Sequence, residues 1–387
     1  MKELPVHQPK HAPVTHLMVY VTEDCNLRCT YCFVKKTPKS MTLETGRKLV
    51  DYYFQREISG TQRTLTFTFF GGEPFMALDT MEEIAAHACG TAKGRTLSFN
   101  ATTNATLATP EVERLVRRYE MGLLVSLDGG PESMESRPFL GGGSPYRAVE
   151  RNLRRLCSWS PQVVARMTYH PESLDIVGNA KKIFELGAPA IAICAVVESD
   201  WRGKEQQLEE AYQELADWFL SQARRGRWLA LEVEWRLLRF YHLHHAWGGR
   251  PRRPCTVGTS LIAVNTEGQV MPCHRFLYRP HDWFGTVDDI AFPPQRDSYV
   301  QLASSNILGC DDCHARPICG GGCRYLAITA QQDIATGAHP GHCLITRAQS
   351  LAIRRIYETL MEECQEEFLA QLLSRPSPVN SFGELAI

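Results

Sequence analysis

Three cysteines constrain this chain more than any other feature. Cys25, Cys29 and Cys32 lie in the run TEDCNLRCTYCF (Thr22–Phe33), directly after the short apolar stretch Leu17–Val21. The CxxxCxxC spacing offers three thiolates, enough to hold three irons of a [4Fe–4S] cube and leave the fourth open, whereas most electron-transfer clusters are closed by four cysteines. An open iron is a place where a small molecule can bind and react. The competing reading is structural zinc, which usually takes four ligands, often as two CxxC knuckles, and a CxxxCxxC triplet fits that poorly.

At 387 residues the chain is long for one domain, and two units with ample core are expected. A formal net charge of −1 gives no reason to expect nucleic acid or an anionic membrane as partner. No stretch approaches the roughly 18 unbroken apolar residues of a membrane span. The opening MKELPVHQPKHAPVTH has no apolar core of a secretory signal, so the cytoplasm is the expected compartment. Thiols stay reduced there, and the 14 cysteines are not expected to pair as disulfides. Ten fall into two motif regions, while Cys89, Cys157, Cys194 and Cys364 are expected to be buried apolar side chains.

From residue 17 to about 235, short β-type runs alternate with amphipathic helical ones. Leu17–Val21, Leu65–Phe70, Leu97–Ala101, Leu123–Leu127, Val163–Thr168 and Ala190–Val197 read as strands. Leu43–Ile58, Thr80–Cys89, Pro110–Met121, Tyr146–Leu156 and Leu174–Leu186 carry apolar residues at helical spacing, with Thr109 as cap before Pro110. Such alternation implies parallel strands with right-handed crossovers and a ligand site at their carboxyl ends. The cysteine triplet, Gly71-Gly72-Glu73, Asn104 and Ser126-Leu127-Asp128 each follow an expected strand. A helix from about Lys204 to Gln222 follows, then a stretch rich in Trp, Leu and Arg, and Gly248–Pro254 has linker composition. Residues 255–343, rich in Cys, Gly and His, predict a small module held by metal rather than by core size. A helical pattern returns over residues 345–373.

The cysteine run with Tyr31 before its last member, and Gly71-Gly72-Glu73-Pro74 some forty residues later, resemble the radical S-adenosylmethionine (SAM) enzymes. The resemblance implies a partial (β/α)6 barrel, an α/β fold. It also implies that SAM chelates the open iron through its amino and carboxylate groups and yields a 5′-deoxyadenosyl radical on reduction. The paired glycines would let backbone approach the methionine part of SAM, and Glu73 would neutralise its amino group. Asn104, Ser126 and Tyr31 stand where family members contact SAM or shape its pocket, and Arg137 or Arg166 would pair with its carboxylate. Asp128 is expected to orient the loop. Helix caps and solvated arginines are the plainer readings of these residues.

Seven further cysteines, Cys255, Cys273, Cys310, Cys313, Cys319, Cys323 and Cys343, are similar in spacing to the SPASM module, which carries auxiliary clusters on radical SAM enzymes that modify peptides and proteins. The resemblance implies one [4Fe–4S] cluster on Cys310, Cys313, Cys319 and Cys343 and another on Cys255, Cys273 and Cys323, three clusters in all. The plain alternative is a zinc ribbon. The run Cys273-His274-Arg275-Phe276 looks like maturases of ribosomally made peptides, with His274 where sulfatase maturases place an aspartate base; histidine can serve as base near neutral pH. The expected activity is a peptide maturase closing an oxidative thioether or C–C crosslink. A formylglycine-forming maturase, a peptide epimerase and an iron–sulfur electron carrier or scaffold are the alternatives. Implied partners are a peptide or protein substrate and an electron donor such as flavodoxin or ferredoxin. Only 24 residues precede Cys25, so leader recognition falls to the barrel, the module or a separate leader-binding protein. The domain plan is an N-terminal extension over 1–16, the barrel over 17–235, a linker over 236–254, the auxiliary-cluster domain over 255–345, and a C-terminal helix and tail over 346–387.

Overall fold

A computed structural model describes residues 13–60, 62–227, 229–246, 255–289, 309–331 and 338–363, together with 296, 370 and 374. Most of the N-terminal extension, the Gly248–Pro254 linker, Cys364 and the tail from 375 lie outside the described residues. Two compact units are formed from interleaved segments. The first comprises Met1–Asp24, Val34–Asn100 and Thr256–Leu302, and the second Cys25–Phe33, Ala101–Cys255 and Ala303–Ile387.

In the first unit, β1 (His16–Thr22) is buried along its whole length, as the unbroken apolar run of a parallel strand covered on both faces demands. It pairs in parallel with β2 (Thr64–Gly71), Leu17 opposite Phe67 and Val19 opposite Phe69. Helices α1 (Leu43–Tyr53), capped by Thr42, and α2 (Leu78–Thr91) pack on each other. The strand β3 (Thr96–Thr103) then carries the chain from the first unit into the second. There β4 (Gly122–Ser126), β5 (Val163–Tyr169) and β6 (Ile191–Ala195) pair in parallel, Ser126 opposite Arg166 and Thr168 opposite Cys194. Between and after them run α3 (Pro110–Arg118), α4 (Tyr146–Trp159), α5 (Ile176–Glu185) and α6 (Glu205–Ala223). Thr109 caps α3 through Val112 N at 3.4 Å, and Asp175 caps α5 through Gly178 N at 2.8 Å. The expected class, parallel α/β, is the one observed.

Two expectations change. Residues 236–246, placed in a linker, instead continue α7 (Glu232–Ala246), because Trp235, Leu237, Leu238 and Tyr241 are buried and fold the stretch into a helix. On this helix His242 Nδ1 meets Tyr357 OH at 3.1 Å and the His245 ring stacks on Tyr357. The second change concerns the module after residue 255, whose first part is not held by metal alone. Strand β7 (Leu261–Val264) pairs in parallel with β1, and β8 (Gln269–Met271) and β9 (Gly285–Thr286) continue antiparallel. The β1 edge supplies a ready row of donors and acceptors, so it takes the new strand. Later, α8 (Arg324–Gln331) and α9 (Pro340–Glu362) close the second unit, α9 packing on α6 and α7. Arg224 and Arg355 pair with Glu363 and Asp217 across that contact. Among the described residues no helix is long and apolar enough to cross a membrane.

Candidate active site

The chain leaves β1 through Thr22-Glu23-Asp24 and enters the cysteine run at Cys25. Gly71 and Gly72 press on that exit. Gly72 N donates to Thr22 O at 2.9 Å and Glu73 N to Asp24 O at 2.8 Å. A Cβ at Gly71, where φ is +140°, would lie 1.9 Å from Thr22 O, and one at Gly72 would lie 2.0 Å from Asp24 O. Neither position tolerates a side chain, because backbone meets backbone there. The glycines therefore fix the segment that ends at Asp24. Glu73 is 0% exposed, and its Oε1 accepts from Phe75 N at 3.2 Å, capping the Pro74–Met76 turn.

In the second unit the cysteine loop is pinned to residues 136–140. Arg28 N donates to Pro138 O, Thr30 N to Ser136 O and Leu140 N to Asn26 O, with Leu27 bridging Phe139. Cys25 Sγ receives Leu27 N at 3.3 Å and Asn104 Nδ2 at 3.7 Å, while Arg137 Nη1 stands 4.0 Å from Cys29 Sγ. Asn104 Nδ2 also donates to Asn26 Oδ1 at 2.8 Å. Donors aimed at sulfur suit thiolates, whose negative charge they share.

Behind the loop sits a buried ion pair. Arg137 Nε and Nη2 donate to Asp128 Oδ2 and Oδ1 at 2.6 and 2.9 Å, the two side chains being 7% and 1% exposed. Tyr31 OH donates to Oδ2 at 2.6 Å and Thr168 N to Oδ1 at 2.8 Å. Asp128 thus accepts four hydrogen bonds and ties β4, β5 and the cysteine loop together. Burial alone would pull the Arg137 pKa down; the facing carboxylate more than reverses this and holds it well above the ordinary value. Burial first, with Asp128 adding to it, keeps the Tyr31 phenol far from ionising. The Tyr31 ring lies under the Arg137 guanidinium at 5.1 Å and meets the His170 ring at 4.9 Å. A cleft of about 250 Å³ opens beside this bolt, lined among others by Thr30, Asp128, Ser133, Thr168, His170 and Asn179.

Arg166 lies opposite Ser126 and Ala192 and hydrogen-bonds Cys194. Cys194, expected as an inert apolar side chain, has Arg166, Glu234 and Arg236 for neighbours, although burial still pushes its thiol up. Burial likewise raises Glu234 to about 8. This polar company had no signal in sequence, since β5, β6 and α7 bring it together only in three dimensions. His274 lies in the first unit, its ring 5.2 Å from that of Phe70 and its carbonyl accepting from Tyr20 OH at 2.7 Å. Cys273, just before it, is also in that unit and buried.

The later cysteines of the second unit crowd one another. Cys313 acts electrostatically on Cys310, Cys310 and Cys313 act on Cys343, and all three act on Cys319. Burial first, then these neighbours, raises Cys310 and Cys343 and pushes Cys319 up to about 12. Arg324 Nη2 and Nη1 donate to Gly320 O and Gly321 O at 3.1 and 3.0 Å, and its guanidinium feels Cys255, Cys319, Cys323 and Cys310. Arg347 hydrogen-bonds Cys313. Cys310, Cys319 and Cys343, whose thiols resist losing their protons, stand with Cys313 among cationic and N–H donors, a set that fits an iron–sulfur core that would replace those protons. Among the described residues no three Cys, His, Asp or Glu side chains gather as ligands of one metal ion; a cube asks for one thiolate per iron. Arg324 and His342, each adjacent to a cysteine in sequence, were readable from that adjacency.

Comparison with known proteins bears on this arrangement. The radical SAM superfamily model matches residues 19–181. The radical SAM cyclopropyl synthase TigE of Paramaledivibacter caminithermalis is 20% identical over 316 residues, 77% of this chain and 64% of TigE. An uncharacterized protein of Methanocaldococcus jannaschii is 27% identical over 128 residues, 33% of this chain and 43% of that protein. The chain thus spans less than two thirds of the length of these relatives. Among solved structures, anSMEcpe with bound AdoMet superposes with a TM-score of 0.77 at 18% identity, covering 93% of this chain and 98% of that one. Streptococcus suis SuiB bound to the precursor peptide SuiA gives 0.59 at 15% identity, covering 86% and 76%. The family match, the parallel α/β fold and the cysteine triplet agree: over residues 19–181 the chain carries a radical SAM domain.

Proposed function

We propose that the chain is a peptide maturase that abstracts a hydrogen atom from a ribosomally made peptide and closes an oxidative crosslink, thioether or C–C. The observation that carries this reading is the pairing of a three-cysteine loop with a second set of four mutually close cysteines. Structural neighbours crystallised with peptides, anSMEcpe with Cp18Cys and SuiB with SuiA, support it.

Cys25, Cys29 and Cys32 would hold the SAM-binding [4Fe–4S] cluster. With SAM bound, that cluster supplies on reduction a 5′-deoxyadenosyl radical able to take hydrogen from an unactivated carbon. The chain's own residues fix the site around it. The Asp128–Arg137 pair and the Ser136–Leu140 segment hold the cysteine loop in one geometry, and Leu27 N–H and Asn104 stabilise the Cys25 thiolate. Gly71, Gly72, Glu73, Asn104, Ser126, Tyr31 and Arg166 are assigned to the SAM pocket, with Arg137 shared between Asp128 and that pocket. Cys310, Cys313, Cys319 and Cys343 hold one auxiliary [4Fe–4S] cluster; Cys255, Cys273 and Cys323 hold a second. His274 is assigned as the base that takes the substrate proton. The partners are the peptide, a flavodoxin- or ferredoxin-like electron donor and a separate leader-binding protein, in the cytoplasm.

Anaerobic co-expression with each short open reading frame beside the gene, followed by high-resolution peptide mass, tests this. Loss of two hydrogens on a fragment carrying a cysteine or an aromatic pair is expected. Conversion of a cysteine to formylglycine would identify the other maturase activity. Peptides returned unchanged, including after growth in deuterated water to expose epimerisation, would count against the peptide reading.

A further inference from the structure

The sulfur of Cys319 collects donors from two sides. Gly321 N–H bonds to it, the Gly320-Gly321-Gly322 run holding positive φ at all three positions. From the other side His342 Nε2 stands 3.8 Å from the sulfur. His342 is 1% exposed and belongs to the first turn of α9, directly before Cys343. Its Nε2 also lies 3.3 Å from Thr346 Oγ1, whereas its Nδ1 is buried without a hydrogen-bond partner. A ring nitrogen keeps its hydrogen where an acceptor waits, and a cluster-bound thiolate is an acceptor only. Nε2 is therefore the nitrogen that carries hydrogen toward Cys319. Gly322 makes the room: a Cβ there would lie 2.7 Å from His342 Cδ2 and 3.0 Å from Nε2.

We propose that His342 is a positioning residue that donates Nε2–H to the Cys319 sulfur and so raises the reduction potential of the auxiliary cluster held by Cys310, Cys313, Cys319 and Cys343. The inference rests on the reading, made above, that these four cysteines hold a [4Fe–4S] cluster. Reduction adds one negative charge, shared by the cluster's sulfurs, and a buried N–H donor stabilises that charge more than it stabilises the oxidised form. The bond makes this cluster easier to reduce than the same cluster without it.

The test uses full-length protein carrying Cys25→Ala, Cys29→Ala and Cys32→Ala, so that only auxiliary clusters remain, with His342 intact or changed to Leu or Gln. Iron analysis comes first: about eight irons per chain are expected from two cubes, and a protein with only traces of iron sinks the auxiliary-cluster reading itself. Redox titration followed by electron paramagnetic resonance then decides the inference. His342→Leu should move one of two midpoints to a more negative value and leave the other in place. His342→Gln, whose amide N–H can reach the same sulfur, should recover part of the shift. Unmoved midpoints, or a Gln variant displaced as far as Leu, overturn the proposal. Should the Leu variant fail to fold, the triple-alanine protein with His342 intact, labelled with 15N-histidine, gives the answer alone. A weak histidine-nitrogen coupling to the reduced cluster supports the bond, and its absence, or a coupling as strong as that of a direct ligand, refutes it.

Discussion

The loop of Cys25, Cys29 and Cys32 and the segment from Cys310 to Cys343 both gather thiols, but they are built by opposite means. The first is held by backbone pairing with residues 136–140 and by a four-bonded carboxylate behind it. Its geometry rests on hydrogen bonds within the chain. The second relies on glycines at positive φ, a one-turn helix over Arg316–Cys319, and thiols that repel one another's ionisation. On the proposed reading, a cluster there would supply most of the order, as in small metal-held modules. On that reading the loop that would present an open iron is prepared in advance, and the set that would close a cluster waits for its iron.

The largest effect should come from removing iron. Amide exchange over 309–331 should quicken by about ten-thousandfold or more, since metal binding energy there is folding energy, while 25–33 and 136–140 should change far less. Equal loss of protection in both would end the contrast. Next comes Asp128→Ala, which strands the buried Arg137 charge and should cost about 3–5 kcal/mol in chemical unfolding. The partner change to a paired hydrophobic, Asp128→Leu with Arg137→Met, should recover most of it. Acid should probe the sheet that delivers the first loop. His16, buried against Thr68 at 2.8 Å, has its pKa lowered to about 4 by burial. The folded state resists protonation that the unfolded chain accepts near 6.5. Stability present above that value should therefore fall by about 3 kcal/mol between pH 6.5 and 4. His16→Asn should flatten that segment of the profile in thermal melts. The smallest effect belongs to Tyr31→Phe, which removes one of Asp128's four donors and should cost about 1.5 kcal/mol, with iron content unchanged.

How much of this was visible beforehand depends on the range of the interactions. Six strands were legible within a few residues, because burial on both faces leaves continuous apolar runs such as Leu17–Val21. That Cys310, Cys313, Cys319 and Cys343 gather was legible in their spacing. Strands β7 to β9, two to four residues long, are too short for periodicity to register. Helix α7 escaped because Arg236, Arg239 and its histidines interrupt the apolar stripe. The Asp128–Arg137 bolt was only half visible: both residues drew attention, but that they hold each other rests on the turn Ser133–Ser136, which a linear reading does not fold.

The pairing of β7 with β1 has a consequence in time. Its partners, His16 with Leu261 through Val19 with Val264, stand about 245 residues apart, a separation that makes such contacts slow to form. At ordinary synthesis rates, about 5–20 residues per second, one edge of β1 stays bare for roughly 10–50 s after the strand emerges. That edge is a run of unpaired N–H and C=O groups, able to recruit any passing strand. The chain therefore makes its most exposed template first and covers it only after about two thirds of its length is made, so a product stopped before residue 264 should aggregate even with every barrel strand present.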